Sequence, residues 1–150
     1  MPGIKLNPKP QKLVLNQSAM IDDFFENVEM LSLLSAYEPY HLAWHLNRSF
    51  PVDFVRDDTR DIQHGGHTYI AYRYIDEINH IEHTLFATRN KTNYILPELK
   101  RIDFIWMIQG GHLVEHFIRD IPVLIKKISG VSDCRKILHE NISNRHVFLV

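Results

Sequence analysis

The sequence predicts an α+β domain: a mostly antiparallel sheet of about five or six strands with two or three helices packed against it. Three observations carry this expectation. Residues 67–75 and 81–88 are rich in β-branched and aromatic side chains, and the short stretch 76–80 between them reads as a hairpin turn. The unbroken apolar run Phe104-Ile105-Trp106-Met107-Ile108 suits a central strand covered on both faces. Leu113, Val114, Phe117, Ile118 and Ile121 keep helical spacing.

Taken in order, residues 1–11 hold Pro2, Gly3, Pro8 and Pro10 without an apolar core, so they are expected as a flexible arm before a single domain over 12–150. Leu13-Val14-Leu15 is expected as a first strand. Residues 21–34 admit two readings: Ile21, Phe24, Val28 and Leu31 fit a helix, whereas 28–33 also fits a strand. Pro39 starts a fresh helix in its first turn, with Leu42, Leu46 and either Ala43 or Trp44 facing the core and an end near 47–49, before Pro51. Val52, Phe54 and Arg56 alternate as a short strand ended by Asp57-Asp58. A strand over 67–75, its hairpin partner over 81–88 and a turn at 89–93 follow. Pro97 to Arg101 forms a tight or helical turn into a strand over 102–109, the competing reading being a helix from Pro97 stopped by Gly110-Gly111. The helix after Leu113 is expected to stop at Pro122. Val123, Ile125 and Lys127 suggest one more strand, 132–140 a short helix, and the tail 147–150 packs.

The chain has 150 residues, 45% hydrophobic and 23% charged, enough to bury roughly 68–70% of its unfolded surface without disulfides or a structural metal. Seventeen basic residues stand against eighteen acidic ones, for a net charge of −1, which argues against a whole-molecule footprint for nucleic acid or anionic lipid. Cys134 is the single cysteine, which excludes an internal disulfide and a multi-cysteine zinc site and suits a reducing compartment. The densest apolar stretch falls far short of the about 20 residues that span a bilayer. The expected location is the cytoplasm.

The block Leu96-Pro97-Glu98-Leu99-Lys100-Arg101-Ile102-Asp103-Phe104 resembles the signature of a bacterial family named for its own motif, the IPExxxVDY proteins. Pro97, Glu98 and Asp103 match by identity, and Leu96, Ile102 and Phe104 replace the motif's Ile, Val and Tyr. The stretch Tyr40-His41-Leu42-Ala43-Trp44-His45-Leu46-Asn47 resembles a second family feature, a Tyr-x-Leu-Ala-Trp-x-Leu-Asn helix. The order of the blocks, the length and the glycine after the apolar strand agree as well. The resemblance implies a compartment and marks Pro97, Glu98, Asp103, Tyr40, Trp44 and Asn47 as candidate binding residues. It implies no activity, and Phe104 argues against chemistry at the motif's tyrosine hydroxyl.

Read from the residues themselves, the motif has a structural sense. Pro97 fixes a turn, Glu98 accepts from backbone N–H groups, Leu99 and Ile102 bury, and Asp103 at a strand start bonds turn amides or a cation. The functional alternative pairs Glu98 with Asp103 for a divalent cation or for general acid–base work. The structural sense is preferred, because turn and ion-pair networks mimic active-site carboxylates.

Ten histidines are the compositional anomaly. His41 with His45, and His112 with His116, have the i,i+4 spacing that sets two imidazoles on one helix face, within reach of one metal ion. His64 and His67 flank Gly65-Gly66, and His80 and His83 lie near a strand start. No HExxH or cysteine cluster supports a zinc site, so hydrogen-bonded or solvated imidazoles are the preferred reading. No phosphate-cradling glycine loop and no GxSxG elbow occurs. Cys134, expected in a helix, reads as a plain small residue. Tyr72 and Tyr74 share one strand face and pack, and Trp44 and Trp106 are expected in the core.

These readings converge on a non-enzymatic protein-interaction or accessory module, with open sheet edges able to take a partner strand or a second copy of the chain. No catalytic residue, cofactor, nucleic acid, membrane or small-molecule substrate is implied. The rival is a divalent-metal binder or small enzyme built on Glu98 and Asp103, on His41 and His45, or on His112 and His116.

Overall fold

The computed structural model describes residues 10–110 and 114–150, with side chains over 17–110 and 118–150. In chain order the elements are α1 (Pro10–Phe25), β1 (Val28–Ser35), α2 (Pro39–Ser49), β2 (Val55–Arg56), β3 (Ile62–His64), β4 (His67–Tyr69), β5 (Ala71–Asp76), β6 (Ile81–Ala87), β7 (Arg89–Asn90), β8 (Asn93–Tyr94), β9 (Phe104–Gln109), α3 (Val114–Leu124) and β10 (Val131–Ile137). Six strands form one sheet in the order β10-β1-β9-β6-β5-β2, every pair antiparallel. The hairpins β3–β4 and β7–β8 make two small sheets beside it. The fold is α+β, as the sequence predicts.

Both faces of the large sheet are covered. On one, Leu31, Leu33, Leu85, Trp106 and Ile108 pack beneath α2 and α3, which contribute Leu42, Leu46, Ile118 and Ile121. On the other, Met30, Phe86, Ile105 and Met107 pack against Phe25 of α1, Tyr69 of the β3–β4 hairpin, Leu96 and Leu99 of the motif turn, and Phe148 of the tail. Trp106 and Ile108 alternate with Ile105 and Met107 across β9, so the apolar run supplies two cores at once. That is the physical reason it could not alternate with polar residues. Removing each such side chain from water is worth about 1.5–3 kcal/mol. Among the described residues, no helix is long and apolar enough to cross a membrane.

α2 begins as its sequence dictates. Pro39 occupies the first turn, and the residue before it, Glu38, is held extended at φ −63°, ψ 153°. Leu42, Ala43 and Leu46 are buried, which assigns the third inward position to Ala43 and turns Trp44 outward, 51% exposed. Trp44 therefore corrects the expectation of a core tryptophan, whereas Trp106 is fully buried. The ambiguous stretch 21–34 divides: helix to Phe25, strand from Val28.

Several expectations are overturned. Leu13-Val14-Leu15 belongs to α1, not to a strand; Pro10 opens this helix, and Phe24 and Phe25 seat its far end on the core. Of the expected arm, residues 1–9 lie outside the described residues. Val52 and Phe54 are buried, but only Val55 and Arg56 pair as a strand. The run 67–75 breaks at Ile70: β4 pairs with β3 and β5 with β6, and the Asp61 carboxylate accepts the Ala71 N–H at 2.9 Å where the chain changes sheet. The turn at 89–93 is itself a small hairpin with Lys91 at φ 56°. Pro122 lies inside α3, in its last turn, and Val123 and Ile125 continue in helical geometry. The expected helix over 132–140 is instead the edge strand β10, paired with β1 and followed by a 3₁₀ turn over His139–Asn141.

Candidate functional site

The motif turn is built from the backbone outward. Pro97 opens one turn of 3₁₀ helix over Pro97–Leu99, closed by Leu99 N–H to the Leu96 carbonyl at 3.0 Å and Lys100 N–H to the Pro97 carbonyl at 3.2 Å. Arg101 then takes φ 73°, a left-handed bend that swings the chain into β9. Leu96 and Leu99 are buried beneath this bend.

Asp103 sits where the bend becomes strand. Its Oδ2 accepts the backbone N–H of Ser35 at 2.9 Å and its Oδ1 accepts Arg89 Nε at 2.7 Å. The Asp103 N–H donates to the Leu33 carbonyl at 3.0 Å, so one residue ties β9, the end of β1 and β7 together. Ser35 extends the network: its hydroxyl donates to the Gly130 carbonyl at 2.7 Å and accepts the Tyr37 N–H at 3.1 Å.

Glu98 works elsewhere. Its Oε2 accepts the Ser143 hydroxyl at 2.8 Å and the Asn144 N–H at 3.3 Å, pinning the motif turn to the C-terminal segment. Its own backbone N–H, then the Ser143 hydroxyl, hold this carboxyl below the usual glutamate range. Glu98 and Asp103 thus serve different partners. Asp103, with Tyr37, Glu38, Ile70, Arg89 and Lys91, lines a cavity of about 390 Å³; Glu98 is not part of its wall.

The second sequence block divides by role along α2. Asn47 faces inward and bonds Phe54 twice, its Oδ1 accepting the Phe54 N–H at 2.7 Å and its Nδ2 donating to the Phe54 carbonyl at 3.1 Å. That bond pair fixes the chain after α2 as a strand partner would. Tyr40 and Trp44 face outward, 68% and 51% exposed, and with His41 they frame a surface recess of about 320 Å³. The Arg48 guanidinium lies 4.6 Å from the Trp44 ring centre.

The i,i+4 imidazoles of His41 and His45 do share a helix face, but the Tyr37 ring occupies it. Tyr37 stacks on His45 at 4.7 Å and 9°, and meets His41 at 4.4 Å. Partial desolvation, then the neighbouring His41 and Arg48, lower the His45 pKa, which favours the neutral ring such stacking suits.

The second i,i+4 pair is not assembled on the described part of the molecule. His116 belongs to the backbone of α3, which begins at Val114, and its side chain lies outside those described. Its expected companion, His112, precedes that helix and lies outside the described residues altogether. The expectation that His112 and His116 share one helix face as metal ligands therefore lies outside the described side chains. His64 and His67 oppose each other across β3–β4, over a turn in which Gly65 and Gly66 take φ 60° and 80°. Among the described residues, no group of three His, Cys, Asp or Glu side chains could hold a metal ion. Cys134 is buried in β10, and desolvation, helped by Asp133, pushes its thiol up to about 12, so it stays protonated and unreactive.

Three contributors escaped sequence reasoning. Arg89 has no spacing signal linking it to Asp103, fourteen residues on. Tyr37 stands two residues before the helix of the second block, and its partner Gly130 lies in a distant loop. His83 is wholly buried, taking a hydrogen bond from Trp106 Nε1 at 3.0 Å, whereas the sequence marked it only as lying near a strand start. Compared with family models, with curated proteins and with solved structures, the chain has no match.

Proposed function

We propose that this chain is a non-enzymatic, cytoplasmic protein-interaction or accessory module of the IPExxxVDY type, and that it takes its partner on the outer face of α2. The observation that carries this reading is the outward Tyr40–Trp44 pair with Arg48 laid over the indole. Tyr, Trp and Arg are the side chains that dominate binding hot spots, since they offer large rigid area with a polar handle. The motif carboxylates support the same reading from the other side, because both are used by the protein's own amides, hydroxyl and guanidinium. The partner that fits is an apolar protein segment carrying a carboxylate, matched to Arg48 beside the Trp44 indole.

The test is affinity purification at native expression, comparing wild type with Tyr40→Ala/Trp44→Ala. A partner retained by wild type and lost from a variant of unchanged melting temperature supports the proposal. No partner, or equal recovery with both proteins, contradicts it.

A further inference from the structure

β10 is one margin of the large sheet, and among the described residues it pairs only with β1. Which of its backbone groups are used follows from β1. The Leu33 carbonyl accepts from Asp103 and the Asn27 carbonyl from Gly110, both on the β9 side. Backbone groups along an antiparallel strand turn to alternate sides, so Ser32 and Leu34 turn toward β10, where they face Arg135 and Asp133. Arg135 and Asp133 are therefore bonded to β1. The N–H and C=O groups of Ser132, Cys134 and Lys136 point out of the sheet.

From this we infer that β10 pairs antiparallel with β10 of a second copy of the chain, about a twofold axis through Cys134, joining the two sheets edge to edge. The outward groups leave few registers, because only Ser132, Cys134 and Lys136 can oppose one another. An axis at Lys136 sets lysine against lysine. An axis at Ser132 sets Val131 against the Asp133 carboxylate. An axis at Cys134 opposes Ser132 to Lys136, Val131 to Ile137, and Asp133 to Arg135 twice over. The Asp133 and Arg135 positions are then the non-hydrogen-bonded pairs, where opposed side chains lie closest and opposite charges stabilise.

The charges are already poised. Arg135 Nε donates to Asp133 Oδ2 at 2.7 Å within one chain, and the Arg135 side chain is 77% exposed. Two copies would turn that pair into a ring of four alternating charges. Charged edge strands commonly guard against pairing, but a guard that repels a copy of itself carries one sign. Here opposite signs stand two residues apart and attract in the self-paired register. Val123 and Leu124, both exposed, end the helix that packs against β10, and exposed Leu138 directly follows the strand. This surface is independent of the outer face of α2.

Sedimentation velocity on the full chain over a dilution series tests the inference. Wild type is expected as a reversible dimer. Asp133→Arg and Arg135→Asp, each placing like charges opposite, weaken it by about tenfold or more. An equimolar mixture of these two variants restores a dimer, since every opposed pair is again of opposite sign. A second measurement avoids charge reversal: Asp133→Cys mixed with Arg135→Cys forms an intermolecular disulfide under mild oxidation, because opposed Cα atoms there lie about 4.5 Å apart. Monomeric wild type at every concentration, reversals that dimerise as wild type does, a mixture that stays monomeric, or failure of the cysteine pair to cross-link would overturn it.

Discussion

In the middle of the sheet, Trp106 Nε1 donates to His83 Nδ1 at 3.0 Å, with both side chains fully buried. The indole can only donate, so Nδ1 must keep its lone pair and the imidazole must be neutral. Burial lowers the His83 pKa to about 4, and the field of Asp76 opposes this more weakly.

A pH dependence follows from that pair. The unfolded chain protonates His83 near pH 6.5, whereas the folded chain resists until about pH 4. The stabilisation is full above pH 6.5 and is lost as pH falls toward 4. Between pH 7 and pH 5 the loss amounts to about 2 kcal/mol. Asp57, Asp76 and Glu98 have lowered pKa values, so their contributions fade only at more acid pH. Urea unfolding at pH 7 and pH 5 measures the slope, and His83→Gln is expected to remove most of it.

Gly130 is required by Tyr37. A Cβ at Gly130 would fall within the Tyr37 ring, which is held by its stack on His41 and His45. Gly130→Ala is expected to destabilise by about 1–3 kcal/mol, the usual cost of overpacking. The same substitution in a Tyr37→Ala background costs much less, and a double-mutant cycle on unfolding free energies reads the difference.

Asn47 is predicted to matter for stability and not for partner recovery. Asn47→Ala leaves the Phe54 N–H and carbonyl without their side-chain partner and costs about 1–3 kcal/mol. Chemical denaturation measures the loss; equal stability of variant and wild type would contradict the role assigned to it.

Much of this architecture was legible. Two-sided apolarity marked β9 as central, Pro39 marked the start of α2, and the runs 67–75 and 81–88 stood out by composition as a hairpin, of which 71–76 and 81–87 pair. The failures share one cause, since short segments take their state from neighbours that the local pattern does not name. Leu13-Val14-Leu15 looks like a strand until the helix that continues to Phe25 is known. β10 lacks an apolar alternation, since Ser132, Asp133, Arg135 and Lys136 leave only Val131 and Cys134 buried along it. At the candidate site, the carboxylates of Glu98 and Asp103 were visible as residues, and backbone acceptance was the preferred role. Their individual partners, Ser35 and Arg89 for one, Ser143 and Asn144 for the other, lie up to 68 residues away and have no local signature.

The account turns on whether Asp103 holds the backbone or a ligand, and the unfolding free energy of Asp103→Ala decides between them. Loss of its bonds to Ser35 and Arg89 is expected to cost about 2–4 kcal/mol, while the molecules that remain folded keep their partner on α2. An unchanged unfolding midpoint, together with a lost binding or catalytic activity, would contradict it.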